Sequence, residues 1–170
     1  FLPEKYDFSD VTKDFESTIL TQVYMELILK LFHDCSNEIS YLASMANIDC
    51  SVYHKDEGVR INIAGFSDKI FVFAKDYLSI FFSKKYLSDD MAFTRCKDNL
   101  LLEYKNSSMK SENMANNHRI CAIKPRKICN GQKLLALQKI TDVLSVSSVE
   151  KFWNYCFASQ NLLTVHTLIQ

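Results

Sequence analysis

The apolar pattern changes period between Met45 and Ile48, and that change limits what the chain can fold into. Upstream, Leu20, Val23, Tyr24, Leu27 and Leu31 recur at spacings of three and four. That is the stripe of an amphipathic helix, predicted from about Ser17 to Met45 with a break near Ser36. Downstream, "NIDCSVYH" puts Ile48, Cys50 and Val52 on one face, and "GVRINIAG" does the same for Val59, Ile61 and Ile63. Period-two alternation on both sides of the charged connector "KDEG" predicts a β-hairpin with Gly58 at a positive φ.

Helical spacing then returns. In "GFSDKIFVFAKDYLSIFF" a helix is predicted with Ser67 as N-cap and Asp68 in its first turn, burying Ile70, Phe73, Ala74, Tyr77, Leu78 and Phe81. A second helix starts in "SDDMAFTRCKDNLLLEYK", with Ser88 as cap and Asp89 and Asp90 facing the helix dipole. The span from Asn106 to Gln132 reads as partly helical, interrupted around Pro125 and broken at Gly131. Ser147 and Glu150 form an S-x-x-E capping box ahead of a helix carrying Phe152, Trp153 and Cys156. The end, "LLTVHTLIQ", alternates and is predicted to be a strand that returns to the hairpin. The fold class predicted is α+β, an antiparallel sheet of hairpin plus returning strand covered on one face by several helices.

Composition narrows the class further. Three glycines and two prolines in 170 residues favour long helices over a turn-rich sandwich or barrel. The length suits one domain, residues 1–170, with a real core. Lys+Arg and Asp+Glu are 20 each, so whole-chain charge points to neither nucleic acid nor membrane. No apolar run approaches the roughly 20 residues of a membrane span. A chain starting "FLPEKYDF", without an initiator Met or signal peptide pattern, is expected to be a piece of something longer. None of the six cysteines forms a C-x-x-C pair, and they are expected to be reduced core thiols of an intracellular, cytoplasmic protein.

Chemistry is sparse. "VYHKDEGVR" contains His54 and Glu57 in the first four positions of H-x-x-E-H, the inverted zinc-peptidase signature, but Gly58 stands where the second histidine belongs. A catalytic zinc takes three protein ligands, and a strand end with its turn gives His54 and Glu57 no common face. The stretch is therefore read as a turn. His33, His118 and His166 have no metal spacing among them, and there is no G-x-S-x-G, P-loop or G-x-G-x-x-G. No catalytic, cofactor-binding or metal-ligating residue is assigned. One charge feature stands out: Lys105, Lys110, Arg119, Lys124, Arg126, Lys127 and Lys133 face Glu112 alone, a local surplus of six. Its two readings are a solvated helical face and an electropositive docking patch, with Lys124, Arg126 and Lys127 as the candidates. Aromatic residues for base stacking are absent from this stretch, which argues against nucleic acid.

The run "MELILKLFHDCSNEISYLASMANIDCSVYHKDEGVRINIAGFSDKI" resembles the third domain of insulinase-like zinc peptidases, the pitrilysin or M16 group. In that group a helix ending in an "lNEysY"-like stretch leads to a hairpin, then to a "GYNDK"-like corner. The matching positions are Asn37, Glu38, Ser40 and Tyr41, then Gly65, Phe66, Ser67, Asp68 and Lys69. "FLPEKYDF" resembles the phrase that precedes the C-terminal half of these enzymes, and "SVSSVEKFWNYCF" with "LLTVHTLIQ" resembles the last helix and returning strand. Two departures stand: "SDVTKDFES" is a poor first strand, and residues 107–131 match weakly.

The resemblance implies an M16 half-domain without catalytic residues, shaping the substrate chamber of a zinc metalloendopeptidase. It implies no cofactor in this chain, with the zinc held by the N-terminal catalytic domain of the parent enzyme. The implied partners are the other domains of the same peptidase and peptide substrates, not nucleic acid or membrane. The alternative is an inactive M16-like scaffold or processing-peptidase-type subunit that binds proteins.

Overall fold

The computed structural model describes residues 15–55, 58–65, 69–107, 109, 111–124 and 128–157, the side chains of 15–17 and 55 excepted. The long first helix, α1, runs from Phe15 to Met45 without a break. Ser36, the expected break point, is buried, and its hydroxyl donates to the His33 carbonyl at 3.5 Å, so it stays within the helix. Asn47, at φ 56°, takes the left-handed conformation that ends many helices and turns the chain into the sheet.

Strands β1 (Ile48–Lys55) and β2 (Gly58–Gly65) pair antiparallel, with Val52 opposite Ile61 and Lys55 opposite Gly58. The connector is thus the two residues at 56 and 57 rather than all four of "KDEG", because Lys55 and Gly58 belong to the ladder. Gly58 has φ +135°, as the turn requires. Gly65 is needed for a different reason: a Cβ there would lie 3.0 Å from the Asn47 carbonyl oxygen. The faces are as predicted. Cys50, Val52, Val59, Ile61 and Ile63 pack against the core, while Arg60 and Asn62 are exposed.

Five further helices follow: α2 (Ile70–Ser83), α3 (Asp90–Ser107), α4 (Ser111–Ile123), α5 (Asn130–Ile140) and α6 (Val146–Cys156), with a 3-10 turn at Lys85–Leu87. Six helices and one two-stranded antiparallel sheet among the described residues make the fold α+β. The Ser67 cap and the returning strand of "LLTVHTLIQ" fall outside the described residues. Along α2, Tyr77 and Phe81 are fully buried, and Ile70, Phe73, Ala74 and Leu78 are half-buried.

Three helix starts differ from expectation. Asp89 rather than Ser88 caps α3, its Oδ1 accepting from the Met91 and Ala92 amides at 3.0 and 3.1 Å. A carboxylate there meets two orphan amides and the positive helix end together. Gly131 lies in the first turn of α5 rather than ending a helix, because Gln132 Oε1 accepts from the Cys129 amide at 3.0 Å and starts α5 ahead of it. For α6 the reciprocal cap is Ser145 with Ser148, at 3.3 and 3.1 Å, two residues before the expected box. The earlier start places Val149, Phe152 and Trp153 on one buried stripe.

The core surrounds α1, which packs against β1, α2, α3, α5 and α6. Val23, Tyr24, Met25, Leu27 and Ile28 are all buried, so this part of α1 is enclosed on nearly every side rather than amphipathic. Phe32 anchors an aromatic cluster, 5.0 Å from Tyr77, 5.1 Å from Phe81 and 5.5 Å from Tyr86, each edge-on. Trp153 closes it, its indole N–H donating to the Tyr86 hydroxyl at 2.9 Å.

Two of the six cysteines expected to be reduced core thiols lie side by side: Cys121, in the last turn of α4, and Cys129, the N-cap of α5, have their Cα atoms 6.6 Å apart, within disulfide reach.

Candidate functional site

Among the described residues an open groove of about 630 Å³ lies between α1, α3 and the hairpin. Its walls follow from spacing. Glu26, Lys30, His33 and Asn37 recur every three or four residues along α1, so they line one side of that helix. Asn99 and Glu103 do the same on α3, with Cys96 and Leu100 beneath. From the sheet, Val52 and His54 reach the groove because they share the inward parity of β1.

Ion pairs cross between the two helices. Lys30 Nζ lies 2.6 Å from Glu103 Oε1, and Arg95 pairs with Asp34. Both are exposed and contribute little to stability. The third pair differs: Lys133 of α5 is 5% exposed and donates to Glu26 Oε1, while the Tyr104 hydroxyl donates to Oε2 of the same carboxylate. Burial, and then the neighbouring Glu26 charge, push the Tyr104 hydroxyl far above its ordinary range. The thiol of Cys96 is raised by burial and then by Asp34.

The histidines are dispersed. His33 and His54 both line the groove, one from α1 and one from β1; His118 is exposed on α4; His166 lies outside the described residues. His54 is a half-buried strand residue opposite Val59 rather than part of a surface turn. No group of three His, Cys, Asp or Glu among the described residues could hold a metal ion, so these side chains do not fit a catalytic zinc. What the groove offers is non-covalent: paired charges, amides and imidazoles around a small apolar floor. Of the basic candidates, Lys124 follows the end of α4 and is exposed, whereas Arg126 and Lys127 lie outside the described residues. Lys133 is withdrawn from the basic surface by Glu26. Sequence reading missed the groove, although the polar stripe at 26, 30, 33 and 37 beside the apolar one was a visible signal.

No helix among the described residues is long and apolar enough to cross a membrane. Among curated proteins and among solved structures there is no match to the chain. The family described as the middle or third domain of M16 peptidases matches residues 5–136, well over half of the 170. That span contains the long helix, the hairpin and the start of α2, on which the resemblance mainly rested; "SVSSVEKFWNYCF" and "LLTVHTLIQ", which also entered it, lie beyond residue 136. The chain belongs to the M16 peptidase middle-domain family.

Proposed function

We propose that this domain is a non-catalytic wall of the substrate chamber of an insulinase-like zinc metalloendopeptidase, whose zinc and general base belong to a separate N-terminal domain. The observation that carries this reading is the family match over residues 5–136. Enclosure contributes to catalysis by excluding water and by docking the other half of the enzyme when it closes. The surplus of cations from Lys105 to Lys127 would give the wall a positive field that favours acidic segments of a peptide.

The test uses the complete enzyme with Lys124, Arg126 and Lys127 changed together to Ser. The triple variant is expected to lose kcat/KM for acidic peptides about three- to tenfold at low salt, with basic peptides spared. The loss should shrink towards physiological ionic strength, where exposed charges are screened within about 8 Å. Equal kinetics for both peptide classes before and after mutation would remove the electropositive wall. If the complete protein proves to have no zinc site, the inactive scaffold takes its place.

A further inference from the structure

We propose that Cys121 and Cys129 form a reversible thiol–disulfide site that fastens α4 to the start of α5 when oxidised and releases it when reduced. Among the described helices α4 is the exception in its packing. It buries none of its 13 residues, and the principal element-to-element packings do not involve it. Met114 and Ile123 on it are 46% and 71% exposed. A helix this short has little stability in water without an apolar face to bury. By contrast α5 is anchored, with Leu137, Ile140 and Lys133 buried. A disulfide between Cys121 and Cys129 therefore does for α4, when formed, what packing does for the other helices.

The two cysteines are placed for exchange. Their Cα atoms lie 6.6 Å apart, inside the roughly 4.4–6.8 Å that a disulfide spans. Both are half-exposed, within reach of a small reagent. Three other thiols are less suited: burial and Asp34 raise Cys35 and Cys96, and burial pushes Cys156 up to about 11. Whether the bond persists is set by its reduction potential against that of the surroundings.

The oxidant is a low-molecular-weight disulfide of the glutathione class. One cysteine thiolate attacks a sulfur of that disulfide, forming a mixed disulfide and expelling one small thiolate. The second cysteine thiolate attacks the protein-side sulfur and expels the other. The protein dithiol loses two electrons and two protons, and the small disulfide is reduced to two thiols.

The complete protein is equilibrated in reduced and in oxidised glutathione, quenched by alkylation, digested with trypsin and mapped by mass. Under oxidising conditions the fragments Ile120–Arg126 and Ile128–Lys133 should appear joined, lighter by two hydrogens than their sum; under reducing conditions both should be alkylated. Amide exchange across α4 should be at least about tenfold slower in the oxidised state, with exchange in α1 unchanged. Cys121→Ser and Cys129→Ser should each exchange at the reduced rate in both buffers. The wild-type comparison decides the matter even if a variant fails to fold. Absence of the joined fragments in oxidised glutathione, capture of Cys121 by Cys35 instead, or α4 exchange independent of redox state would each overturn the proposal.

Discussion

Glu26 joins three helices through two donors, Tyr104 from α3 and Lys133 from α5, and its two partners are not equivalent. Lys133 has a side chain only 6% exposed, whereas that of Glu26 is 27% exposed. Removing the carboxylate charge leaves an uncompensated cation in the interior; removing the cation leaves a carboxylate that still has water and the tyrosine. Glu26→Gln is therefore expected to cost about 3 kcal/mol, and Lys133→Met only about 1 kcal/mol. Urea melts of the two variants check the order, and a larger loss at Lys133 would show that the carboxylate is the more desolvated partner. At this scale the sequence was a partial guide. Seven cations between 105 and 133 read as one surface surplus, yet Lys133 points inward, since nothing local distinguishes a lysine that meets a carboxylate 107 positions away. His54 was misjudged for a nearer reason: its even-numbered parity with Ile48, Cys50 and Val52 already placed it on the inward face of β1.

At the scale of elements, periodicity carried most of what was legible. The long helix, the hairpin with its two faces and the buried stripe of α2 follow from spacing alone, because each buries one side against a single core. Caps were harder, since several short polar residues compete at each helix start and packing downstream chooses among them. Asp89 caps in place of Ser88, and Ser145 in place of Ser147, ahead of stripes that bury Phe93 and Val149. The central burial of α1 was under-read: Met25, Ile28 and Phe32 lie off the predicted stripe but face helices that only tertiary structure brings there. The sheet faces give a sharp test. Ile61 is half-buried against the core, so Ile61→Ala should cost about 1–3 kcal/mol, less than a fully enclosed isoleucine. Arg60, its neighbour on the outward face, should change stability by less than about 0.5 kcal/mol when replaced by Ala. Chemical denaturation of both variants reads the difference, and the reverse order would place the hairpin's other face on α1.

Across the whole molecule the core is rich in phenols and thiols that burial keeps neutral, and this sets how stability responds to alkali. Tyr24, Tyr77, Tyr86 and Tyr104 are all raised above the ordinary tyrosine value of 10.0, in each case first by burial. The thiols of Cys96 and Cys156 are raised above 9.0 for the same reason, Cys156 to about 11. In the folded chain these groups hold their protons to higher pH than in the unfolded chain. Their contribution is therefore fully present below pH 9.0 and is lost as pH rises, first through the thiols and then, above 10.0, through the tyrosines. Each group that is still protonated when folded but ionised when unfolded steepens the fall by up to about 1.4 kcal/mol per pH unit. Urea midpoints are expected to be nearly flat from about pH 7 to about pH 8.5 and to drop steeply between about pH 10 and about pH 11. Tyr104→Phe separates this linkage from simple loss of a contact. It should lower stability at neutral pH, because Glu26 loses a donor, yet show a shallower alkaline decline, because one proton fewer is released on unfolding. The part of the tyrosinate absorbance that Tyr104→Phe removes should rise with unfolding rather than before it. A midpoint that stays level to about pH 11, or a Tyr104→Phe decline as steep as wild type, would mean that these hydroxyls ionise within the folded core.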